Sequence, residues 1–365
     1  MKTGWYCTLL GFLVFLLGSH TIFASMDGGR LFKIVFSDVD GTLVHYDDIS
    51  ESASSNSEII QLPPSSTGMR GIISTDTLRL CHKLRSSHGS KLVLVSGMRT
   101  TTLLKRLPFL PRADAYASEA GSRVFYPVNL AKEASYQGTI IRPERYDGVS
   151  DSDLASFGIK EDMEWRAKME LRNAAGGDGY VQRDRDVDVL SRRSGLLWDH
   201  ARRLESKGFV IDFHGYAACF RVNRKQQKED QTKGEAFDAL LKSSPPEGLA
   251  CSVNLGCIDF YPEASGKKNC CAYLAHKFAS GADETMVKTS HDLLGEYAVC
   301  ICDDDNDLEM ALACSRAYLP SVTSESMAEA AKENPKQIYI TQNKEEGIVG
   351  VTATEKALRI ILGEA

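Results

Sequence analysis

The sequence predicts an α/β fold with a Rossmann-like parallel-sheet core and a smaller, inserted α+β domain. Residues 34–36 and 92–95, the latter in a predicted strand at 91–95, are apolar runs without polar alternation, which is typical of strands buried on both faces of a parallel sheet. A third run of this kind, residues 297–302, lies near the far end of the 365-residue chain. Helical patterns separate these strands, and this alternation favours a parallel sheet joined by right-handed crossovers.

The first part of the core follows in order along the chain. Ser74 can cap a helix before the strand at 91–95, which leads into a second helix through Leu107. Residues 113–117 predict a short third strand, and residues 118–126 predict a turn and a hairpin.

Residues 143–250 form the predicted inserted domain, because the stretch from 143 to 195 is charged and poor in apolar residues. An amphipathic helix then extends from Gly195 to Gly208, and residues 209–223 predict a β-hairpin with alternating polar residues. The other predicted divisions are a signal peptide or anchor at 1–25 and a core formed by 26–142 and 251–365.

Two aspartates, Asp38 and Asp40, follow the first strand, and Gly41 and Thr42 then break it. Residues i and i+2 of a strand point to the same side, and open α/β sheets bind ligands at the carboxyl ends of their strands. Two close carboxylates repel unless a cation or a shared proton separates them, so the pair predicts a hard metal ion such as Mg²⁺. The alternative is a strand-ending cap beside a surface aspartate, but the apolar and Gly-Thr context favours the metal site.

The densest acidic cluster of the chain, residues 303–307, follows the last predicted core strand. Some of its four aspartates would cap the next helix, where Asp is favoured, but four caps at one place would repel one another. A Mg²⁺ ion shared with Asp38 is the economical explanation.

Two further residues are candidates for binding an anion. Ser96 ends the strand at 91–95 and faces a helix N-terminus, where a hydroxyl is well placed to bind an anion, although a helix cap alone would explain it. Lys267 opens a later helix, where its charge opposes the helix macrodipole. A bound phosphate would explain that position, and a solvated surface lysine is the alternative.

The composition limits the classes of partner. The formal net charge of −6 gives no electrostatic basis for nucleic-acid binding, so no nucleic-acid partner is expected. The ten cysteines include no C-x-x-C pair, and we interpret them as reduced core residues instead of a disulfide framework or a metal site.

The N-terminal segment predicts a secretory route. A short apolar run follows Lys2, and small residues stand at Ala24 and Ser25, which is typical of a signal peptide, with an uncleaved anchor as the alternative. No other stretch is apolar enough to cross a bilayer. Reduced cysteines and the lack of an N-x-[ST] sequon fit an oxidising compartment poorly, so a cytosolic form beginning at Met26 is the competing hypothesis. The compartment and the oligomeric state stay open.

Four motifs, taken in order, resemble those of the haloacid dehalogenase (HAD) superfamily of aspartate-nucleophile phosphatases. They are Asp38-Val39-Asp40-Gly41-Thr42, Ser96, Lys267 and Asp303-Asp304-Asp305-Asn306-Asp307. The resemblance covers nearly all of residues 32–330. Because the inserted domain lies between Ser96 and Lys267, it resembles the C2 cap class (IIB or Cof-type) of sugar phosphatases. Residues 261–267 are similar to the corresponding motif of sucrose-phosphate phosphatases.

The resemblance implies a role for each motif residue. Asp38 would attack phosphorus and form an aspartyl-phosphate, and Asp40 would act as acid and base. Ser96 and Lys267 would bind phosphoryl oxygens. The implied Mg²⁺ ligands are Asp38, the Asp40 carbonyl, Asp303 and Asp307. The candidates for substrate binding are Thr42, Arg99, Asn306 and, on the hairpin of the inserted domain, Asp212, His214 and Arg221. For the hairpin residues, a solvated strand face is the alternative.

The implied function is Mg²⁺-dependent hydrolysis of a small phosphorylated sugar. A phosphosugar mutase is one alternative, because the same aspartate chemistry can return the phosphoryl group. A non-catalytic phosphosugar-binding protein of the same fold is the other. Cys302 stands where the family has glycine, and Arg99 is displaced by one position, so the motifs leave the sugar unnamed.

Overall fold

The structure is a computed structural model that describes residues 34–46, 57–64, 68, 70–129, 158–173, 189–227, 231–254, 256–279 and 290–364. The predictions for residues 1–25 and Met26 lie outside the described residues. None of the described helices has both the length and the apolar character that crossing a lipid bilayer requires.

The described residues contain fourteen strands. They are β1 (Ile34–Ser37), β2 (Ile59–Gln61), β3 (Ile72–Ser74), β4 (Lys91–Val95), β5 (Ala115–Ser118), β6 (Arg123–Val128), β7 (Gly158–Glu161), β8 (Ile211–Asp212), β9 (Phe220–Asn223), β10 (Leu249–Asn254), β11 (Cys257–Pro262), β12 (Ala298–Ile301), β13 (Arg316–Leu319) and β14 (Ile338–Ile340).

The same residues contain eleven α-helices. They are α1 (Thr75–Ser86), α2 (Thr100–Arg106), α3 (Met163–Asn173), α4 (Leu196–Ser206), α5 (Arg224–Gln227), α6 (Gln231–Leu241), α7 (Lys267–Ala279), α8 (Ser290–Tyr297), α9 (Leu308–Ala313), α10 (Glu325–Glu333) and α11 (Val351–Leu362). Short 3₁₀ helices cover Leu107–Phe109, Leu190–Arg192 and Asp305–Asp307.

The first sheet has eight strands in the order β14-β13-β12-β1-β4-β5-β6-β7. The strands from β14 to β5 in this order are parallel, and β6 and β7 add an antiparallel edge. β1 lies between β12 and β4, so both of its edges are hydrogen-bonded. The carboxyl ends of these three central strands therefore meet at one edge of the sheet, where ligands of such folds bind.

The side chains of β1 alternate between two apolar clusters on opposite faces of the sheet. Ile34 and Phe36 pack in the first cluster with Leu274 of α7, whereas Val35 packs in the second with Leu358 of α11. Because helices cover both faces, every position of β1 is apolar or buried, and the strand shows no polar alternation.

The second sheet is antiparallel and has the order β10-β11-β9-β8. Leu197 and Trp198 of α4 pack on it in a third apolar cluster, with Phe220 and Phe260. The predicted fold class is confirmed, because a parallel-dominated core sheet with helices on both faces is joined to a separate α+β unit.

The strand pairing differs from the predicted domain limits at 143 and 250. β7 pairs with β6 in the first sheet, whereas β10 and β11 pair with each other and with β9 in the second. β11 is buried along its whole length, so its sequence looks like a core strand whichever sheet it joins. β7 has only four residues and gives too short a pattern to stand out from its charged surroundings.

The described residues include nine cysteines, and all nine are free. Eight of them are buried, and Cys251 is half-buried. These thiols therefore act as small apolar core residues, as the sequence predicts.

His200 of α4 packs beside the third cluster. Its ring centroid lies 5.9 Å from that of Phe220 and 5.0 Å from that of Phe260. Its Nε2 is buried and has no hydrogen-bond partner in the described part of the chain. Burial, helped by the charges of Arg203 and Lys207, lowers the pKa of His200 to about 4.

We expect His200→Phe to reduce the loss of stability in acid. The unfolded histidine binds a proton below about pH 6.5, and the folded one only below about 4, so acidification between these values favours the unfolded state. At pH 5 this group alone lowers the free energy of unfolding by about 2 kcal/mol. Thermal unfolding at pH 7.5 and pH 5, followed by circular dichroism, measures the effect. An equal drop in Tm for both proteins would contradict the expectation.

Candidate active site

Asp38 is the first residue after β1 and lies at the centre of the carboxyl edge of the first sheet. Its amide donates to the Ile301 carbonyl oxygen of β12 at 2.9 Å. Because the register pairs Ser37 with Ile301, Asp38 and the acidic loop after β12 come side by side. The strand ends thus bring together two acidic segments that are distant in the sequence.

Lys267, the first residue of α7, connects these segments. Its Nζ donates to Asp38 Oδ1 at 2.6 Å, to Asp307 Oδ1 at 2.7 Å and to Asn306 Oδ1 at 3.1 Å. Burial by itself lowers the pKa of a lysine, but the carboxylates of Asp307 and Asp38 outweigh it and raise the pKa of Lys267. Lys267 is therefore a buried ammonium ion.

The carboxylates of Asp38, Asp303 and Asp307, here called the carboxylate trio, each offer an oxygen, and these oxygens lie within 4.8 Å of one another. All three residues are buried, and burial raises the pKa of each carboxyl group while Lys267 opposes that rise. Asp307 Oδ2 is buried and has no hydrogen-bond partner among the residues that the structure describes.

The charges of this site do not balance. When all three carboxylates are ionised, they and the Lys267 ammonium leave two negative charges in a buried place (three minus one), and the raised pKa values reflect the cost of that state. Uncompensated buried charge is strongly unfavourable, and a divalent cation would neutralise it. The trio is therefore the group of residues that could hold a metal ion.

Gly41 and Thr42 fit closely against Asp303. Gly41 has a φ of +88°, a conformation that favours glycine, and a Cβ at this position would overlap the Asp303 carboxylate. Thr42 Oγ1 donates to Asp303 Oδ1 at 2.9 Å. The sequence Gly-Thr thus allows the loop after β1 to contact the acidic loop directly, and the predicted substrate-binding residue Thr42 contacts an acid of the trio.

Asp40 has different partners from Asp38. Its Oδ1 accepts hydrogen bonds from Arg106 Nη1 at 2.6 Å and from the Tyr46 hydroxyl. The side chain of Asp40 is 19% exposed and that of Arg106 is fully buried. Burial and the Asp40 carboxylate raise the pKa of the Tyr46 phenol, which keeps it a hydrogen-bond donor. The two predicted catalytic aspartates therefore have distinct environments, because Asp38 belongs to the trio and Asp40 forms an ion pair with a buried arginine.

Ser96 follows β4 directly and is buried. Its Oγ accepts a hydrogen bond from the Met98 amide at 3.1 Å. A Cβ on the next residue, Gly97, would overlap the side-chain amide of Asn254 and would lie 3.4 Å from Asn306 Nδ2. The turn after β4 therefore packs between the acidic loop and the second sheet.

Arg99 meets two predicted substrate-binding residues, Asp212 and His214, where the two sheets approach each other. Its guanidinium pairs with the Asp212 carboxylate, and its Nη1 donates to the His214 carbonyl oxygen at 2.8 Å. The guanidinium also lies 4.9 Å from the centroid of the Tyr216 ring. These predicted residues are thus brought together as partners of one another.

Arg221 lies directly opposite Asp212 in the pairing of β8 with β9, but its guanidinium binds a different acid. Its Nε and Nη2 donate to Asp259 at 2.5 Å and 2.7 Å, across the pair of strands β9 and β11. Asp259 is fully buried and also accepts from Asn254 Nδ2 at 3.0 Å. Arg221 is therefore linked through Asp259 and Asn254 to the turn at Gly97.

Glu119 connects the first sheet to the inserted domain. It is fully buried and has a φ of +55°, which is unusual for a residue with a side chain. Its Oε1 accepts from Thr100 Oγ1 at 2.6 Å, and its Oε2 accepts from the amides of Ala217 and Ala218 at 2.9 Å and 2.6 Å. One carboxylate thus contacts both parts of the protein.

Sequence reasoning missed four residues of this region, Tyr46, Arg106, Glu119 and Asn254. None was assigned a role in the site, and Arg106, Glu119 and Asn254 contact residues that lie far away in the chain or outside the predicted clusters. Tyr46 bonds to Asp40, six residues away, but lies outside the first motif. Of these four residues, only Glu119 has a local signal in the sequence that could have identified it, because it is a glutamate in a turn between two apolar strands.

We expect Gly41→Ala to destabilise the protein more than Gly208→Ala. Both glycines have positive φ, +88° and +90°, but a Cβ at Gly208 would meet nothing within 4 Å. The control should lose about 1 kcal/mol of unfolding free energy from backbone strain alone. Gly41→Ala should lose about 2–4 kcal/mol, because the new methyl group also displaces Asp303. Urea unfolding measures both, and equal losses would show that the close approach to Asp303 is unimportant.

No family model and no curated protein matches this sequence. The chain is similar to the sucrose-phosphatase from Synechocystis sp. PCC6803 in complex with sucrose and phosphate (12% identity, 91% of this chain, 98% of that chain, TM-score 0.47). It is also similar to the HAD phosphatase BT1666 from Bacteroides thetaiotaomicron (14% identity, 92% of this chain, 97% of that chain, TM-score 0.42). A third similar structure is a trehalose-6-phosphate phosphatase from Aspergillus fumigatus (14% identity, 90% of this chain, 92% of that chain, TM-score 0.39). Because the sequence identities and TM-scores are this low, these similarities do not show what activity the protein has.

Proposed function

We propose that this protein is a Mg²⁺-dependent phosphomonoesterase of the HAD superfamily that hydrolyses a sugar phosphate through an aspartyl-phosphate intermediate. One observation carries the proposal: the carboxylate trio is buried at the carboxyl edge of the first sheet, with the Lys267 ammonium bonded to two of its members. This combination suits a site that binds a divalent cation and a phosphoryl group together.

Asp38 is the proposed nucleophile. One of its oxygens attacks phosphorus, and the bond between phosphorus and the sugar oxygen breaks as Asp40 transfers its proton to that oxygen. Water then attacks the phosphorus of the aspartyl-phosphate and gives a proton to Asp40, and the Asp38 carboxylate leaves. Two easier displacements thus replace one difficult displacement, and Asp40 returns to its protonated form.

The carboxylate trio fits Mg²⁺, because its donors are hard oxygens and Asp307 Oδ2 has no other partner in the described part of the chain. Asp38, Asp303 and Asp307 would hold the ion together with the Asp40 carbonyl. When bound, it would supply positive charge that reduces the repulsion between Asp38 and the phosphate.

Lys267 and Ser96 are the proposed phosphate ligands. Lys267 Nζ lies 2.6 Å from Asp38 Oδ1, so a phosphoryl group on an Asp38 oxygen would lie close to the ammonium. A positive charge fixed at that place stabilises the charge that develops during transfer. Asn306 accepts a hydrogen bond from the same ammonium and would maintain its orientation.

The inserted domain and the turn after β4 supply the proposed sugar contacts. Arg99, Asp212 and His214 lie together beside the turn after β4, and Arg221 lies on β9 in the second sheet. Their guanidinium and carboxylate groups offer the donors and acceptors that sugar hydroxyls require. The position of the domain between Ser96 and Lys267 supports a small phosphorylated sugar as the substrate class. Two of the similar structures are named as phosphatases of sucrose phosphate and trehalose 6-phosphate, so these two compounds should be included in the substrate panel.

We expect Asp38→Asn to lower phosphate release by about a thousandfold or more, because it removes the nucleophile. The measurement is phosphate released from a panel of sugar phosphates in the presence of Mg²⁺. Asp114→Asn is the matched control, since Asp114 precedes β5 at the opposite edge of the sheet and pairs with Arg85. This control should keep its activity.

The panel also separates the competing functions. Equal phosphate release by the wild type and Asp38→Asn would contradict the proposal. An isomerised sugar phosphate without phosphate release would favour the mutase. Binding of a phosphosugar without any turnover would favour the non-catalytic protein.

We expect Asp307→Asn to weaken Mg²⁺ binding by about tenfold or more. The substitution keeps the shape of the side chain and removes one of the three buried negative charges of the trio. Asp305→Asn is the control, because Asp305 lies in the same 3₁₀ turn but bonds to the Ser326 hydroxyl. Isothermal titration calorimetry with Mg²⁺ measures both affinities. If the two variants bind Mg²⁺ equally well, Asp307 is not part of the site.

A further inference from the structure

Asp40, Arg106 and Tyr46 form a closed triangle of hydrogen bonds beside the carboxylate trio. Arg106 Nη1 donates to Asp40 Oδ1 at 2.6 Å and to Tyr46 Oη at 2.8 Å, and the Tyr46 hydroxyl donates to the same Asp40 oxygen. Both donors therefore bind Oδ1. No hydrogen bond to Asp40 Oδ2 occurs within the described residues.

Arg106 is a fully buried cation. Its side chain is fully buried, and its Nη2 has no hydrogen-bond partner in the ranges that the structure describes. Nε donates to the Pro63 carbonyl oxygen at 3.3 Å, and Asp40 is its ion-pair partner. An apolar side chain in such a place is often as stable as or more stable than a buried ion pair, so an arginine here suggests a role beyond packing.

Arg106 and Tyr46 reach Asp40 from two different segments. Tyr46 lies six residues after Asp40 in the loop that follows β1, and Arg106 is the last residue of α2. The guanidinium also lies 5.7 Å from the centroid of the Tyr46 ring. Because the donors come from separate elements, they hold the Asp40 carboxyl group from two directions.

We propose that Arg106 and Tyr46 are positioning residues, which fix the Asp40 carboxyl group so that Oδ2 is presented to the leaving oxygen of the substrate. The proposal rests on the proposed function of Asp40 as acid and base. The terminal torsion of an aspartate is broad, so an unrestrained carboxyl group would sample many orientations. Two donors on Oδ1 remove that freedom, and proton transfer depends strongly on such alignment.

The environment of Asp40 agrees with this assignment. Its side chain is 19% exposed, whereas that of Asp38 is 5% exposed, so Asp40 is the more open of the two acids. A leaving sugar needs a proton on its oxygen and a path out of the site. A carboxyl group that is anchored at one oxygen and open at the other meets both needs.

The leaving group provides the test. Glucose 6-phosphate releases an alkoxide that needs a proton, whereas p-nitrophenyl phosphate releases a stable phenolate that does not. We expect Tyr46→Phe and Arg106→Met to lower kcat/KM for glucose 6-phosphate by about ten- to a hundredfold, because kcat/KM reports the transfer to Asp38 in which the sugar oxygen leaves. The same variants should lower kcat/KM for p-nitrophenyl phosphate by less than about threefold.

Two variants keep the test decisive if one of them fails to fold. Tyr46→Phe removes a single oxygen and preserves the ring, so it remains informative if the loss of the buried Arg106 charge unfolds the protein. Arg85→Met is the matched control, because it removes a bidentate arginine–aspartate pair with Asp114, away from the site. It should leave the ratio of the two kcat/KM values unchanged.

The outcomes separate this proposal from the proposed function. If the variants lower kcat/KM equally for both substrates, Arg106 and Tyr46 have a general structural role and the positioning proposal is wrong. If the wild type releases phosphate from neither substrate, and from no other member of the panel, the proposed function itself fails, and this proposal with it. A selective loss with glucose 6-phosphate supports both.

Discussion

The Lys267 ammonium is the interaction on which the site depends. It bonds to carboxylates from the end of β1 and from the turn after β12, and these segments are distant in the sequence. Without it, three buried carboxylates would face one another with nothing of opposite charge between them. The start of α7 at Lys267 and the close fit of Gly41 against Asp303 both serve to keep these charges at fixed separations.

Charged side chains around the trio are also paired with groups of opposite charge. Asp40 pairs with Arg106, and Arg99 pairs with Asp212 at the junction with the inserted domain. Such pairs contribute little net stability, since desolvation offsets much of their attraction. What they provide is orientation, and a polar site with fixed dipoles needs no rearrangement when a charged substrate arrives.

The features that could be predicted from the sequence are those encoded by patterns of neighbouring residues. A buried strand followed by acids, as at Asp38 and Asp303, has the same local sequence wherever it occurs, so both strand ends and both acids could be predicted. The roles of Arg106 and Glu119 depend on which distant segments pack against them, and no local pattern records that. The assignment of β11 failed to follow from its sequence for a related reason, because an apolar strand does not specify its neighbouring strands.

Glu119 has a consequence for how the two parts of the protein separate. Its one carboxylate accepts hydrogen bonds from Thr100 of the core and from two successive amides of the inserted domain, and it is fully buried. If the loop at Ala217 and Ala218 moved away, Oε2 would lose both amide donors, and a buried polar oxygen without partners is unfavourable. Separation of the two parts at this point therefore requires that water enter and replace the two amides.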